Sequence, residues 1–156
     1  MYAEMLLGCW GQLGDSRAVG PLITSLQDRH SEVRNIVVRA LGQLGDSQAI
    51  SPLIALLQDE LFEMRQKAAT ALGQLGWQPD RSEAAAFYYI ATGQWEQCVP
   101  LEGQAVDPLI ACLQYRDFAR RQAAATALLK IYRVAGLDGV QKRRILAQRT
   151  TITRGH

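Results

Sequence analysis

Leu13-Gly14-Asp15-Ser16 returns as Leu44-Gly45-Asp46-Ser47, and Leu-Gly opens a third time at Leu75-Gly76. Both steps are 31 residues long. The same offset carries Pro21-Leu22-Ile23 to Pro52-Leu53-Ile54, Gln27-Asp28 to Gln58-Asp59, and Arg34 to Arg65. It also carries Ala40-Leu41-Gly42-Gln43 to Ala71-Leu72-Gly73-Gln74. A later copy, with Val106, Pro108-Leu109-Ile110, Gln114, Arg121-Gln122 and Ala127-Leu128, matches the second at an offset of 56, one period plus 25 inserted residues. A fixed period of this length marks a chain built from stacked supersecondary units.

Each unit holds two helical patterns. Apolar residues fall at i, i+3, i+4 and i+7 in Val19, Leu22, Ile23 and Leu26, again in Ile50, Leu53, Ile54 and Leu57, and again in Val106, Leu109, Ile110 and Leu113. The second helix of the unit repeats the signal with Val33, Ile36, Val37, Ala40, Leu41 and Leu44, and then with Met64, Ala68, Ala71, Leu72 and Leu75. These are amphipathic helices. Pro21, Pro52 and Pro108 are expected in a first helical turn, where a missing N–H costs nothing, and Ser31 is expected to cap the second helix of its unit. Gly42 and Gly73 each lower helix propensity by up to about 1 kcal/mol, so their recurrence predicts a packing reason. The fold class is all-α, an α-α superhelix of stacked hairpins in which each unit buries its apolar face against its neighbours.

The boundaries follow from the period. Residues 1–14 read as a half-repeat, 15–45 and 46–76 as repeats, 77–104 as an aromatic helical insertion, 105–132 as a repeat and 133–156 as a basic C-terminal cap, all in one domain. Cys9-Trp10-Gly11-Gln12-Leu13-Gly14 aligns with Ala40 to Gly45, which places the opening residues in a second helix without a first. An apolar face without a neighbour predicts head-to-tail self-association there.

These residues resemble the HEAT-repeat superfamily, in particular its short variety first associated with phycobilisome lyases. The resemblance implies an Asp in the hairpin turn and an Arg early in the second helix, as in Asp28 with Arg34 and Asp59 with Arg65. It further implies a hydrogen-bonded ladder between adjacent units. The last copy keeps Arg121 but has Tyr115 at the Asp position, where the ladder is expected to falter.

The insertion holds five of the eleven aromatic residues, and Phe87, Tyr88, Ile90 and Trp95 are expected to form a local core in preference to a binding pocket. From Lys130 onward come Lys130, Arg133, Lys142, Arg143, Arg144, Arg149 and Arg154 against Asp138 alone, so the last stretch carries +6 and the rest −4 of the net +2. A cationic helix can bind phosphates, but a solvated cap is the plainer reading.

Little in the chain suggests catalysis. The two histidines, His30 and His156, form no metal cluster, and neither is followed by Glu, the pair with which the HEAT-repeat enzymes that hydroxylate deoxyhypusine hold iron. The thirteen glycines are spread over repeat ends and turns, not gathered into a phosphate loop. Cys9, Cys98 and Cys112 have no CxxC spacing and read as reduced thiols of a cytoplasmic protein, Cys98 and Cys112 as small core residues. No apolar run approaches the roughly 18 residues of a bilayer span. No cofactor or metal is expected, and the expected partner is another protein. Aligned positions on the outer side of the second helices, polar at Asn35, Gln66 and Gln122 and at Arg39, Thr70 and Thr126, with Val38 at the place of the small Ala69 and Ala125 between them, nominate Asn35, Val38, Arg39, Gln66, Thr70, Gln122 and Thr126 as the binding stripe. Two alternatives are a role like that of the phycobilin lyases, with the aromatic insertion as pocket, and nucleic-acid binding through the basic tail. Sparse basic residues on the repeat faces argue against a long phosphate track.

Overall fold

A computed structural model describes residues 16–134 and 137–148. The half-repeat with Cys9 and Trp10, and Arg149, Arg154 and His156 of the tail, lie outside the described residues. Among the described residues every regular element is helical. The chain divides into two compact units, Met1–Gln78 and Pro79–His156.

In the first unit, α1 (Val19–Ser25) and α2 (Ser31–Leu44) form one hairpin, and α3 (Ile50–Ala55) and α4 (Phe62–Gln74) the next. Helix α1 packs on α2, α3 on α4, and α2 lies along α4. The residues that drive this are those of the apolar period. Leu22, Val37, Leu41, Leu53, Leu57 and Leu72 are fully buried, each stabilising by about 1.5–3 kcal/mol relative to an exposed side chain.

The turns are made by aspartates. Asp28 Oδ1 accepts from the His30 N–H at 2.7 Å and Asp59 Oδ1 from the Leu61 N–H at 2.9 Å, just before α2 and α4 begin. Asp46 Oδ1 accepts from the Gln48 N–H at 2.9 Å and starts the 3-10 turn that leads into α3. Ser31 is therefore not a cap. It is the first residue of α2, whose N-cap His30 makes no side-chain cap bond, because Asp28 already directs the chain into the helix. Gly45 and Gly76, one period apart, both have φ of 72°, a left-handed turn that glycine adopts without a Cβ penalty.

Gly42 has the packing reason its recurrence suggested. A Cβ there would lie 3.1 Å from the Ala71 Cβ and 3.2 Å from the Ala71 Cα, and would overlap the Gln74 side chain. Gly73 is exposed.

The second unit contains α5 (Glu83–Ala91), a 3-10 segment Trp95–Leu101, α6 (Gly103–Cys112), α7 (Phe118–Val134) and α8 (Gly139–Ala147). The 3-10 segment packs on both α5 and α7, α6 lies against α5 and α7, and α8 closes on α6 and α7. Pro21 and Pro52 are third in their helices, but Pro108 is sixth of the ten residues of α6. The helix starts two residues inside the insertion, at Gly103, and runs on through Ala105, so the proline falls inside the helix. The aromatic core of the insertion is also corrected. Ala85, Ala86, Ile90, Ala91, Cys98 and Leu101 are buried, whereas Phe87, Tyr88, Tyr89 and Trp95 are only half-buried. Small residues let the short helix and the 3-10 segment approach closely, leaving the rings at the margin.

Candidate protein-binding groove

The 31-residue period sets α2 and α4 side by side with equivalent faces in register. Between them runs a groove of about 500 Å³. Helix α2 lines it with Glu32, Asn35, Ile36, Val38 and Arg39, and α4 with Lys67, Thr70, Ala71 and Gln74. Val38 and Ala71 are buried at 1% and 2% exposure and form an apolar floor, so Val38, nominated from sequence as part of a binding stripe, has almost no exposed surface. Arg39 and Thr70 are exposed and Asn35 is half-buried.

Four of the seven nominated residues, Asn35, Val38, Arg39 and Thr70, thus share one groove. Gln66 is exposed on α4 and is not among the lining residues; its carbonyl accepts from the Thr70 hydroxyl at 2.9 Å. In the second unit, Gln122 and Thr126 line a separate cavity of about 490 Å³ with Ala119, Ala123 and the turn from Gly93 to Gln97. Thr126 donates to the Gln122 carbonyl at 2.9 Å, as Thr70 does to that of Gln66. Trp95 contributes to that cavity, and Glu96 is held by the Lys130 ammonium at 2.7 and 2.8 Å.

Asn35 Oδ1 is buried and has no hydrogen-bond partner. Lys67 pairs with Glu63 one turn away at 2.7 Å in an exposed contact, and Arg39 has no ion pair with any described residue. Over the floor of Val38 and Ala71 the groove therefore presents the exposed Arg39 guanidinium, which has no ion pair among the described residues, while the Asn35 Oδ1 is enclosed by the protein. Nothing in the sequence pattern marked Glu32, Ile36, Lys67 or Gln74 as groove residues, because their place depends on how closely α2 and α4 approach.

At the turns that lead into α2 and α4 lies the Asp–Arg framework. Arg34 Nη1 donates to the Asp28 carbonyl at 2.9 Å within its own hairpin, and Nη2 lies 3.6 Å from Asp59 Oδ2 of the next. Hydrogen bonds from the His30 backbone and ring hold the Asp28 carboxyl below its ordinary range. Arg65 stacks over Phe62 with its guanidinium carbon 5.3 Å from the ring centroid. In the second unit Arg121 Nη1 donates to the Tyr115 and Arg116 carbonyls at 2.7 and 2.8 Å and stacks over Phe118 at 5.7 Å. Within these turns the arginine reads a main-chain oxygen, so its bond to the turn survives the change from Asp to Tyr. Phe62 and Phe118 were not singled out from sequence, although they stand at the same offset of 56 as the other matches.

The cationic C-terminal stretch is partly neutralised. Arg144 pairs with Asp107 at 2.6 Å, Arg143 Nε donates to the Gly139 carbonyl at 3.0 Å, and Lys142 is exposed. Among the described residues no helix is long and apolar enough to cross a membrane, and no three His, Cys, Asp or Glu side chains gather as a metal set.

A family model described as HEAT repeats matches residues 3–73 and 19–87, a span that covers both hairpins of the groove. The chain belongs to the HEAT-repeat family. HEAT repeats are commonly protein-interaction scaffolds, and both helices that line this groove lie within the match. No curated protein matches this HEAT-repeat chain.

Proposed function

We propose that this HEAT-repeat chain is an interaction scaffold and that a protein partner docks in the groove between α2 and α4. The observation that carries the reading is the convergence of Asn35, Val38, Arg39 and Thr70 on one groove with an apolar floor and hydrogen-bonding walls. A protein surface supplies both kinds of group. Interfaces place apolar anchors in desolvated pockets and ring them with polar contacts. The mutually supporting hairpins beneath keep the walls in place without the partner, so little ordering entropy opposes binding.

The test is affinity capture from the source cell with the wild-type chain and with Gln66→Glu plus Thr70→Arg, two exposed changes on α4 that leave the buried floor intact. A protein retained by the wild type and lost by the variant, at equal helicity, supports the reading. Retention by both removes this stretch of α4 from the interface.

A further inference from the structure

We infer that the outer side of α8, in the second unit, rests on an anionic lipid surface. The inner side of this helix is fixed by its packing. Ile145 is buried, the Gln141 side chain occupies the space over Gly103 of α6, and Arg144 pairs with Asp107 of α6 at 2.6 Å. Residues 141, 144 and 145 stand at i, i+3 and i+4, one face of a helix. The same spacing links four residues on the other side: Leu146 is four beyond Lys142 and three beyond Arg143, and Arg143 is three beyond Val140. All four are exposed, Val140 at 57% and Leu146 at 47%. The outer side of α8 therefore interleaves two large apolar side chains with two cations.

Apolar exposure and positive charge coincide in this part of the chain. Of the six large hydrophobic side chains exposed among the described residues, four, Leu129, Val134, Val140 and Leu146, lie in the end of α7 and in α8. Arg133, Lys142 and Arg143 are exposed, and none has an ion pair with a described residue. The carboxylates of these elements and their contacts are engaged. Asp138 Oδ1 accepts from the Val140 and Gln141 N–H groups at 2.8 Å, Asp107 holds Arg144, and Glu96 holds Lys130. No acidic residue follows Asp138, while Arg149 and Arg154 add two further cations in sequence. A cluster of Lys and Arg on such a helix matches anionic headgroups, and a stable contact needs the second signal of apolar side chains that sink below them. Long cationic stems keep their charges at headgroup level while Val140 and Leu146 go deeper. A nucleic-acid backbone would meet the cations but gain nothing from the apolar pair between them, and a solvated cap accounts for the charges alone. The helix lies on the surface and does not cross it, since no described helix is long and apolar enough to span a membrane.

The probes are vesicles of phosphatidylcholine alone and of phosphatidylcholine with phosphatidylserine in a two-to-one mixture, read by co-sedimentation of the whole chain. The mixed vesicles are expected to bind at least tenfold more tightly. Each cation near an anionic surface contributes about fivefold, so Lys142→Glu with Arg143→Glu should lower binding at least tenfold at unchanged helicity. Arg29→Glu with Arg116→Glu, an equal change of charge at exposed positions outside α8, should lower it by no more than about threefold. Val140→Ser with Leu146→Ser should weaken binding at least fivefold and leave its salt dependence in place. Equal binding to both kinds of vesicle, or none at millimolar lipid, overturns the inference. Equal losses from the two charge-reversed variants also overturn it, because net charge alone would then govern the contact. Displacement from vesicles by a short DNA duplex, which the Val140→Ser and Leu146→Ser variant binds as well as the wild type, assigns the cations to nucleic acid. A dimer abolished by those two serines, in the absence of vesicle binding, assigns the face to a second copy of the chain; either result overturns the assignment to lipid.

Discussion

Arg34 Nη2 lies 3.6 Å from Asp59 Oδ2, one repeat further along the chain, with both side chains less than a fifth exposed, at 16% and 14%. The same guanidinium donates to the Asp28 carbonyl at 2.9 Å. One side chain thus ties its own turn to the next hairpin and fixes the register in which α2 meets α4. Removing it leaves a carbonyl and a carboxylate with poorer partners. Arg34→Ala should cost about 2–3 kcal/mol in urea unfolding, and Asp59→Asn about 1 kcal/mol. A double-mutant cycle should return a coupling of at least about 0.5 kcal/mol; simple additivity would show that the approach across the repeats is incidental.

Two glycines should respond in opposite directions to alanine. Gly20, in α1, has nothing beyond its own turn within 4 Å of the place a Cβ would take, and Ser51 carries a side chain at the same pre-proline position one repeat on, so Gly20→Ala should stabilise by up to about 0.5 kcal/mol, Pro21 opposing part of the gain. Gly42→Ala gains the same helix propensity but drives a methyl into Ala71 and Gln74, and should destabilise by about 1–3 kcal/mol. Thermal unfolding of the pair decides it. Equal shifts of one sign would mean that α2 and α4 do not approach as closely as described.

Burial pushes the Cys98 thiol from 9.0 up to about 12, and the neighbouring Cys112 adds to the rise. The folded protein holds this proton where the unfolded chain has released it, so the thiol subtracts stability as pH rises from about 9 towards 12 and has no such effect below. A thiol reagent at pH 8 should leave Cys98 unmodified in the native protein and label it fully in denaturant. Rapid native labelling would show that the 3-10 segment opens or that the thiol is not enclosed.

The Glu96–Lys130 contact in the second unit gives a further check. Both side chains are largely exposed, at 72% and 45%, so despite its 2.7 Å geometry the pair should contribute within about 0.2–1 kcal/mol. Lys130→Met should leave the unfolding midpoint nearly unchanged and remove what salt dependence the pair gives. A loss several times larger would mark the turn from Gly93 to Gln97 as a stability centre of that unit.

The repeat and its hairpins were legible because the 31-residue offset and the i, i+3, i+4, i+7 spacing are direct consequences of helical geometry. The recurring glycine was legible only in part, since the propensity penalty marks a tight contact at Gly42, whereas Gly73 is exposed. Ser31 misled because serine is a common cap, while here Asp28, three residues earlier, had already turned the chain. Pro108 misled because the period was carried back to the repeat boundary, and helix α6 begins before it. The aromatic insertion was read by residue type, and its rings are half-buried because alanines and Cys98 took the centre. Outward polar positions such as Asn35 and Arg39 can be placed by period, but which of them share a cavity depends on the distance between helices, and that pattern is not written in one helix alone.

The central claim is that the α2–α4 groove is the protein-contact surface. A photo-crosslinking residue placed singly at Arg39, Thr70, Gln27 or Ser51 tests it directly, since the first two line the groove and the other two are exposed residues outside its lining. In extract of the source cell, a common adduct to one protein from Arg39 and Thr70, absent from Gln27 and Ser51, is the predicted result. Adducts from Gln27 and Ser51 alone, or equal yields from all four positions, would contradict it.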